Sequence, residues 1–203
     1  MPHRRPFHRP LMRRRPRPLP GAPSPRRPLT PRARRALIRA NRLMDSGRFA
    51  QAATLFGRLA KEATRRGLLV RAANLSLQAS RAHFAAEDVD AALEYAENGL
   101  RLLVREGHTG RAPRVLSKMT SALREKGYHA QADQLEQEIA QELEAVGLSL
   151  DEARRQAPQA TERRGSLPAN CSGCGAPLLP DEVEWHDAHT AECIYCGAVI
   201  KTH

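Results

Sequence analysis

The chain has 203 residues, 41% hydrophobic but only 4% aromatic, a composition that suits an alanine- and leucine-rich helical array better than a sandwich or barrel. Its net charge of +11 is gathered at one end: the first 44 residues hold fourteen arginines and no acidic residue, leaving nineteen basic against 22 acidic residues in the rest. No window reaches the roughly eighteen apolar residues of a membrane span and no secretory signal is recognisable, so the sequence reads as cytoplasmic, without a membrane partner.

Residues 1–30 combine nine arginines with a proline about every third position and show no apolar periodicity, which predicts a disordered Arg/Pro-rich tail. Arg13, Arg14, Arg15 and Arg17 can neutralise phosphates, making the tail a candidate polyanion-binding segment for RNA or DNA. A passive solvated tail, or a start site placed too far upstream with Met12 as a later candidate, is the alternative.

From residue 31 to 156 the pattern is helical. Thr30 followed by Pro31 is an N-cap with proline at the first helical position. Leu37, Ala40, Leu43 and Met44 form an apolar stripe that stops at Asp45-Ser46-Gly47, and a partner helix comes next with Phe49, Ala52, Ala53, Phe56, Leu59, Ala60 and Ala63. A second pair runs through Leu69, Ala72, Ala73, Ser76, Ala79, Ser80 and His83, then from Asp88 as N-cap through Val89 to Leu103. A third runs through Val115, Leu116, Met119 and Leu123, then Ala132 to Val146. The turn-then-helix signal at Gly47-Arg48-Phe49 returns at Glu87 and Gly127, a period of 40 residues. Ser149 to Glu152 is a capping-box pattern opening a short last helix, with Leu148, Leu150 and Ala153 placed to cover the end of the array. His83, at the expected seam, reads as a packed or hydrogen-bonded residue.

These positions resemble the tetratricopeptide repeat family. Its small first-helix residue falls on Ala40, Ser80 and more loosely Thr120, its turn glycine on Gly47 and Gly127 with Glu87 departing, and its small second-helix residue on Ala52, Ala92 and Ala132. The period is longer than the family's usual length of about 34 residues, as in variants resembling kinesin light chain, and the early tryptophan and closing proline are absent. A helical-hairpin array outside that family is the alternative. The resemblance implies a solenoid of three helical hairpins whose first helices line a groove. Arg34, Asn41, Asn74, Arg81, Phe84, Arg114 and Arg124 would lie in it, suiting a peptide with carboxylates and a few apolar anchors; a merely solvated face is the bland alternative.

Residues 157–170 lose periodicity and predict a flexible linker, which would leave the C-terminal segment free to move independently. Over 171–203, Cys171-Ser-Gly-Cys174-Gly175 and Cys193-Ile-Tyr-Cys196-Gly197 form two matching knuckles with eighteen residues between them. Two residues between cysteines let both thiolates face one ion, and four thiolates favour one structural Zn2+ with no open coordination position. A rubredoxin-like iron site or a redox dithiol fits the spacing less well. The knuckles resemble the zinc ribbon family, with Val183 to His186 and Thr190 to Glu192 as a hairpin and Ala198 to Ile200 as a further strand. Trp185, alternating with Val183, reads as a core anchor, with an exposed contact residue as the alternative. His186, His189 and His203 are expected to stay out of a ligand shell that the cysteines complete.

No nucleophile, base and orienting group can be placed together, so the expected class is a non-enzymatic protein–protein interaction adaptor. The alternative is a nucleic-acid-associated factor acting through the basic tail.

Overall fold

A computed structural model describes residues 29–156, 165–180 and 182–202. Seven helices come first: α1 (Pro31–Asp45), α2 (Phe49–Arg65), α3 (Leu69–Ala85), α4 (Val89–Arg105), α5 (Ala112–Glu125), α6 (His129–Glu144) and α7 (Leu150–Gln156). A small antiparallel sheet closes the chain in the order β1 (Glu184–Asp187), β2 (Thr190–Glu192), β3 (Val199–Lys201). Ala191 pairs with both Trp185 and Ile200, and the register shifts between Trp185 and Asp187.

The helix boundaries have local causes. Thr30 accepts the Ala33 N–H at 3.2 Å, Asp88 accepts that of Ala91 at 3.3 Å, and Ser149 and Glu152 cap reciprocally, with Ser149 N–H to Glu152 at 2.8 Å and Glu152 N–H to Ser149 Oγ at 3.2 Å. Stops recur every twenty residues. Gly47, Gly67, Glu87, Gly107, Gly127 and Gly147 all take left-handed backbone, with φ between 63° and 85°. At each, the next residue returns its N–H to the carbonyl five back, as in Arg48 to Leu43 at 2.9 Å and Leu148 to Leu143 at 3.0 Å. That bond absorbs a carbonyl the helix end would leave unpaired. Three-residue turns then lead into α2, α3, α4 and α6, while six residues join α4 to α5 and five join α6 to α7; the 40-residue period of the sequence is two such stops.

Two apolar clusters fill the interior. One joins α1, α2 and one side of α3 through Leu37, Phe56, Leu75 and Ala79, and the other joins α4 to α7 with Ala73 and Leu77 of α3. Close approach of α3 and α4 depends on Gly99, where a Cβ would stand 2.8 Å from Leu77 Cγ. Leu150 and Ala153 of α7 rest on the second cluster, as the capping pattern predicts.

The first cluster does not end at the helices. Cys171, Cys174, Ala176, Leu178, Cys193, Ile194, Tyr195 and Ile200 belong to it, so the cysteine module is packed on α1–α3. This corrects the independently moving module. Residues 157–164 of the expected linker lie outside the described residues, while 165–170 run along the module: Gly165 N–H donates to Ala188 O and Leu178 N–H to Ala169 O, both at 2.9 Å. Residues 1–28, including Arg13, Arg14, Arg15 and Arg17, also lie outside the described part. Covered on both sides, α3 is buried at every residue from 71 to 80. Among the described residues no helix is long and apolar enough to cross a membrane.

Two predictions test this packing. Glu87 is the one non-glycine at a positive-φ stop among the described residues, and left-handed backbone costs an L residue roughly 1–2 kcal/mol. Glu87→Gly is expected to stabilise the chain by about 0.5–1 kcal/mol in urea unfolding, part of the relief being offset by glycine's freedom in the unfolded chain; an unchanged or lower stability refutes strain at this turn. On α4 a hydrogen bond shared with Glu138, aided by burial, raises Glu97 from 4.5 to about 7, while the same bond lowers Glu138. The folded Glu97 thus holds its proton more tightly than the unfolded one, and its contribution to stability is complete below pH 4.5 and is lost as pH rises through about 7. Glu97→Gln should flatten that part of the stability profile; a profile parallel to the parent's would rule out the shared proton.

Candidate metal centre and its seat on the helices

Each knuckle is a tight loop closed by its own backbone. The carbonyl of the first cysteine accepts from the glycine four residues on, Gly175 N–H to Cys171 O and Gly197 N–H to Cys193 O, both at 2.8 Å. Its N–H donates to the carbonyl five residues on, Ala176 at 2.8 Å and Ala198 at 2.9 Å. Gly175 and Gly197 both sit at φ 75°, where an L side chain is disfavoured. Gly173 N–H points at Cys171 Sγ from 3.3 Å.

The loops bring the four sulfurs together. Cys171 Sγ lies 3.6 Å from Cys196 Sγ and Cys174 Sγ 3.8 Å from Cys193 Sγ, with all four within 4.8 Å of one another. A tetrahedral ion with metal–sulfur bonds of about 2.3 Å separates its ligands by about 3.8 Å, so the arrangement has the size of a tetrathiolate shell. Cys171, Cys174 and Cys193 are buried and Cys196 is half-buried. Hydrogen bonds among the thiols hold Cys171 far below the ordinary thiol range and push Cys174 and Cys193 far above it. A bound cation is what lets all four be thiolates together. His186 instead meets Glu192 at 3.3 Å, His189 is exposed, and His203 lies outside the described residues.

The helices hold these loops by their carbonyls. From α1, Arg34 Nε donates to Gly173 O at 2.8 Å and Asn41 Nδ2 to Cys174 O at 2.9 Å. From α3, Asn74 Nδ2 donates to Ile194 O at 3.3 Å, Gln78 to the Tyr195 hydroxyl, and Arg81 to Glu182. Tyr195 in turn donates to Glu182 Oε2 at 3.3 Å. Arg71, only 5% exposed, lies against the second knuckle, its Nη2 3.8 Å from where a Cβ on Gly197 would be. Thus α1 grips the first knuckle and α3 the second.

This corrects the expectation of an open groove. Arg34, Asn41, Asn74 and Arg81 converge on one face, as their spacing implies, but the chain's own module already fills it. Arg124 is turned to α6, donating to Asp133 at 2.7 Å and Glu136 at 3.0 Å. Phe84 lies half-buried beyond the module with Lys126 Nζ 4.7 Å from its ring centroid, and Arg114 is half-buried on α5. Trp185 is half-buried rather than central, its Nε1 donating to Pro180 O at 2.8 Å. His83 meets Asp88 at 2.9 Å and stacks on Tyr95, consistent with a packed histidine. Gln78, Glu182 and Tyr195 are members of this seat that sequence reasoning misses. The available signal is Ile194-Tyr195, an apolar pair inside a knuckle whose counterpart carries Ser172-Gly173, since such a pair needs a surface to cover it.

Comparisons with protein-family profiles, curated proteins and solved structures return no match for this chain. What the geometry defines is a mostly helical protein with a four-cysteine cluster able to hold a metal ion.

Because donors on the helices fix the cysteine loops, Asn41→Ala and Asn74→Ala are each expected to weaken the binding of added Zn2+ by about tenfold, the lower end for removal of an outer-shell contact, in competition with a chromophoric chelator. Affinity equal to the parent's would separate the seat from the site. Stripping the metal should shift the emission of Trp185 to the red while helical circular dichroism is largely kept.

Proposed function

We propose that this protein is a non-enzymatic interaction adaptor in which a tetratricopeptide-like solenoid and a structural zinc ribbon form one continuous surface. The carrying observation is the seating of both knuckles on α1 and α3. Four thiolates would leave zinc no position for a water or substrate, so the ion organises the loops rather than activating a reactant. The face that a repeat protein would offer to a peptide is engaged in cis from α1 to α3. A partner would therefore meet the outer surface of the ribbon and the helices beyond it. A nucleic-acid-associated role is the second reading, supported by the nine arginines and absence of acidic residues in 1–30.

The full chain, captured at moderate salt with and without nuclease, discriminates between them. The adaptor reading expects about one zinc per chain by elemental analysis and a discrete protein retained after nuclease. If capture is nuclease-sensitive, falls steeply with salt, and disappears when Arg13, Arg14, Arg15 and Arg17 are all replaced by serine, the adaptor reading fails and the nucleic-acid reading takes its place.

A further inference from the structure

The outer face of α1, turned away from the cysteine module, carries Arg32, Arg35, Arg39 and Arg42, all exposed. Their spacing of three, four and three residues sets them in one row along the helix, about 15 Å long. None of the four meets a carboxylate among the described residues. Exposed arginines on other helices are answered within the chain: Arg65 and Arg66 share Glu62, Arg105 reaches Glu142 and Arg154 reaches Asp151. On α1 the only acidic residue is Asp45, its last.

This row works against its own helix. Like charges three and four residues apart destabilise a helix, and Arg32 also stands where the macrodipole is positive. The first turn has no acidic residue to offset either effect. Local rules broken without compensation inside the chain belong to functional surfaces, and an anion laid along α1 relieves both effects together.

The make-up of the face selects the anion. None of the large apolar side chains exposed in this structure, Val146, Leu179 and Val199, lies on α1, so the face offers nothing to insert into a bilayer and no anchor of the kind protein interfaces depend on. It has no aromatic residue on which the bases of a single strand could stack. A duplex backbone needs neither, since it presents a continuous line of phosphates that arginines neutralise singly. We propose that α1 docks along the phosphate backbone of a nucleic-acid duplex, without regard to base sequence. This goes beyond the adaptor reading, and it differs from a role for residues 1–30 in placing the contact on a folded helix.

The test is fluorescence anisotropy of short labelled DNA and RNA duplexes of unrelated sequence, titrated with the full-length, zinc-loaded chain over a range of salt. Replacing Arg32, Arg35, Arg39 and Arg42 by glutamine is expected to weaken binding about tenfold or more and to flatten the slope of log affinity against log salt by about 3.6, at about 0.9 per lost contact on DNA. Replacing Arg65, Arg66, Arg105 and Arg154 by glutamine removes the same charge and is expected to leave the slope near the parent's. The α1 effect should persist when Arg13, Arg14, Arg15 and Arg17 are already serine. Helical circular dichroism equal to the parent's establishes folding, and Arg35→Gln with Arg39→Gln, expected to flatten the slope by about 1.8, substitutes if the fourfold variant is not folded. The site is overturned by a parent that binds no duplex, by equal losses in the two fourfold glutamine variants, by tighter binding to a single strand, or by binding only to phosphatidylserine vesicles. The adaptor reading is scored on protein retained after nuclease, so failure here leaves it standing, and loss of the protein partner leaves this row standing.

Discussion

Everything in this structure turns on how buried peptide carbonyls are satisfied when a cysteine knuckle is pressed against a helix. A knuckle directs its N–H groups inward, toward sulfur and its own turn, and so presents carbonyls outward. Against an apolar helix face those carbonyls would be stranded, at a cost of about 1–3 kcal/mol each. Arg34, Asn41 and Asn74 supply the donors, one to each of Gly173, Cys174 and Ile194. The converse holds for α3, whose Asn74, Gln78 and Ser76 would be poor choices for a helix buried from residue 71 to 80 without these partners and Asn98, which donates to Ser76 Oγ at 3.2 Å. Each surface is incomplete alone, and the net gain from each bond matters less than the penalty for breaking it.

The apolar part follows the same division. A module of this size buries too little on its own to hold a fold, which is why metal ligation and docking both count for it. Ile194, Tyr195 and Leu178 complete the cluster begun by Leu37, Phe56 and Leu75. Tyr195 is the joint between the two kinds of contact. Its ring is buried, burial and the neighbouring Glu182 carboxylate push its hydroxyl above the usual range, and as a neutral phenol it accepts from Gln78 and donates to Glu182.

Much of the local structure is legible in the sequence because its causes are local. The cap at Thr30, the reciprocal pair Ser149 and Glu152, the stops at Gly47 and Gly127 and the two Cys-x-x-Cys loops each depend on a few adjacent residues. The strands at Glu184–Asp187, Thr190–Glu192 and Val199–Lys201 fall within a residue or two of their expected places. Opacity begins where a side chain's partner lies far along the chain. Asn41 and Asn74 fall on the expected face, but a polar row for a foreign peptide and a polar row for the chain's own loop have one pattern, and the partners are 133 and 120 residues away. The composition of 165–170 suggests a tether for the same reason, since its restraints, Ala188 and Leu178, are visible only in three dimensions. Glu87 departs from the glycine of the other stops, yet the backbone adopts the left-handed turn there regardless, because the surrounding helices fix it.

The distance in sequence between the two halves of the seat also orders the events of folding. Contacts within and between successive helices close short loops, whereas those from α1 to the first knuckle span 133 to 139 residues, and long-range closure is slow. On a ribosome, α1 and α3 emerge and pair with their neighbours well before Cys171 is synthesised, and the second knuckle comes later still. Until that segment emerges and folds, the donors of Arg34, Asn41, Asn74 and Gln78 must be met by water or by something else in the cell. The stretch of translation between α3 and the second knuckle is therefore the interval in which these helices are most open to chaperones and to mispairing.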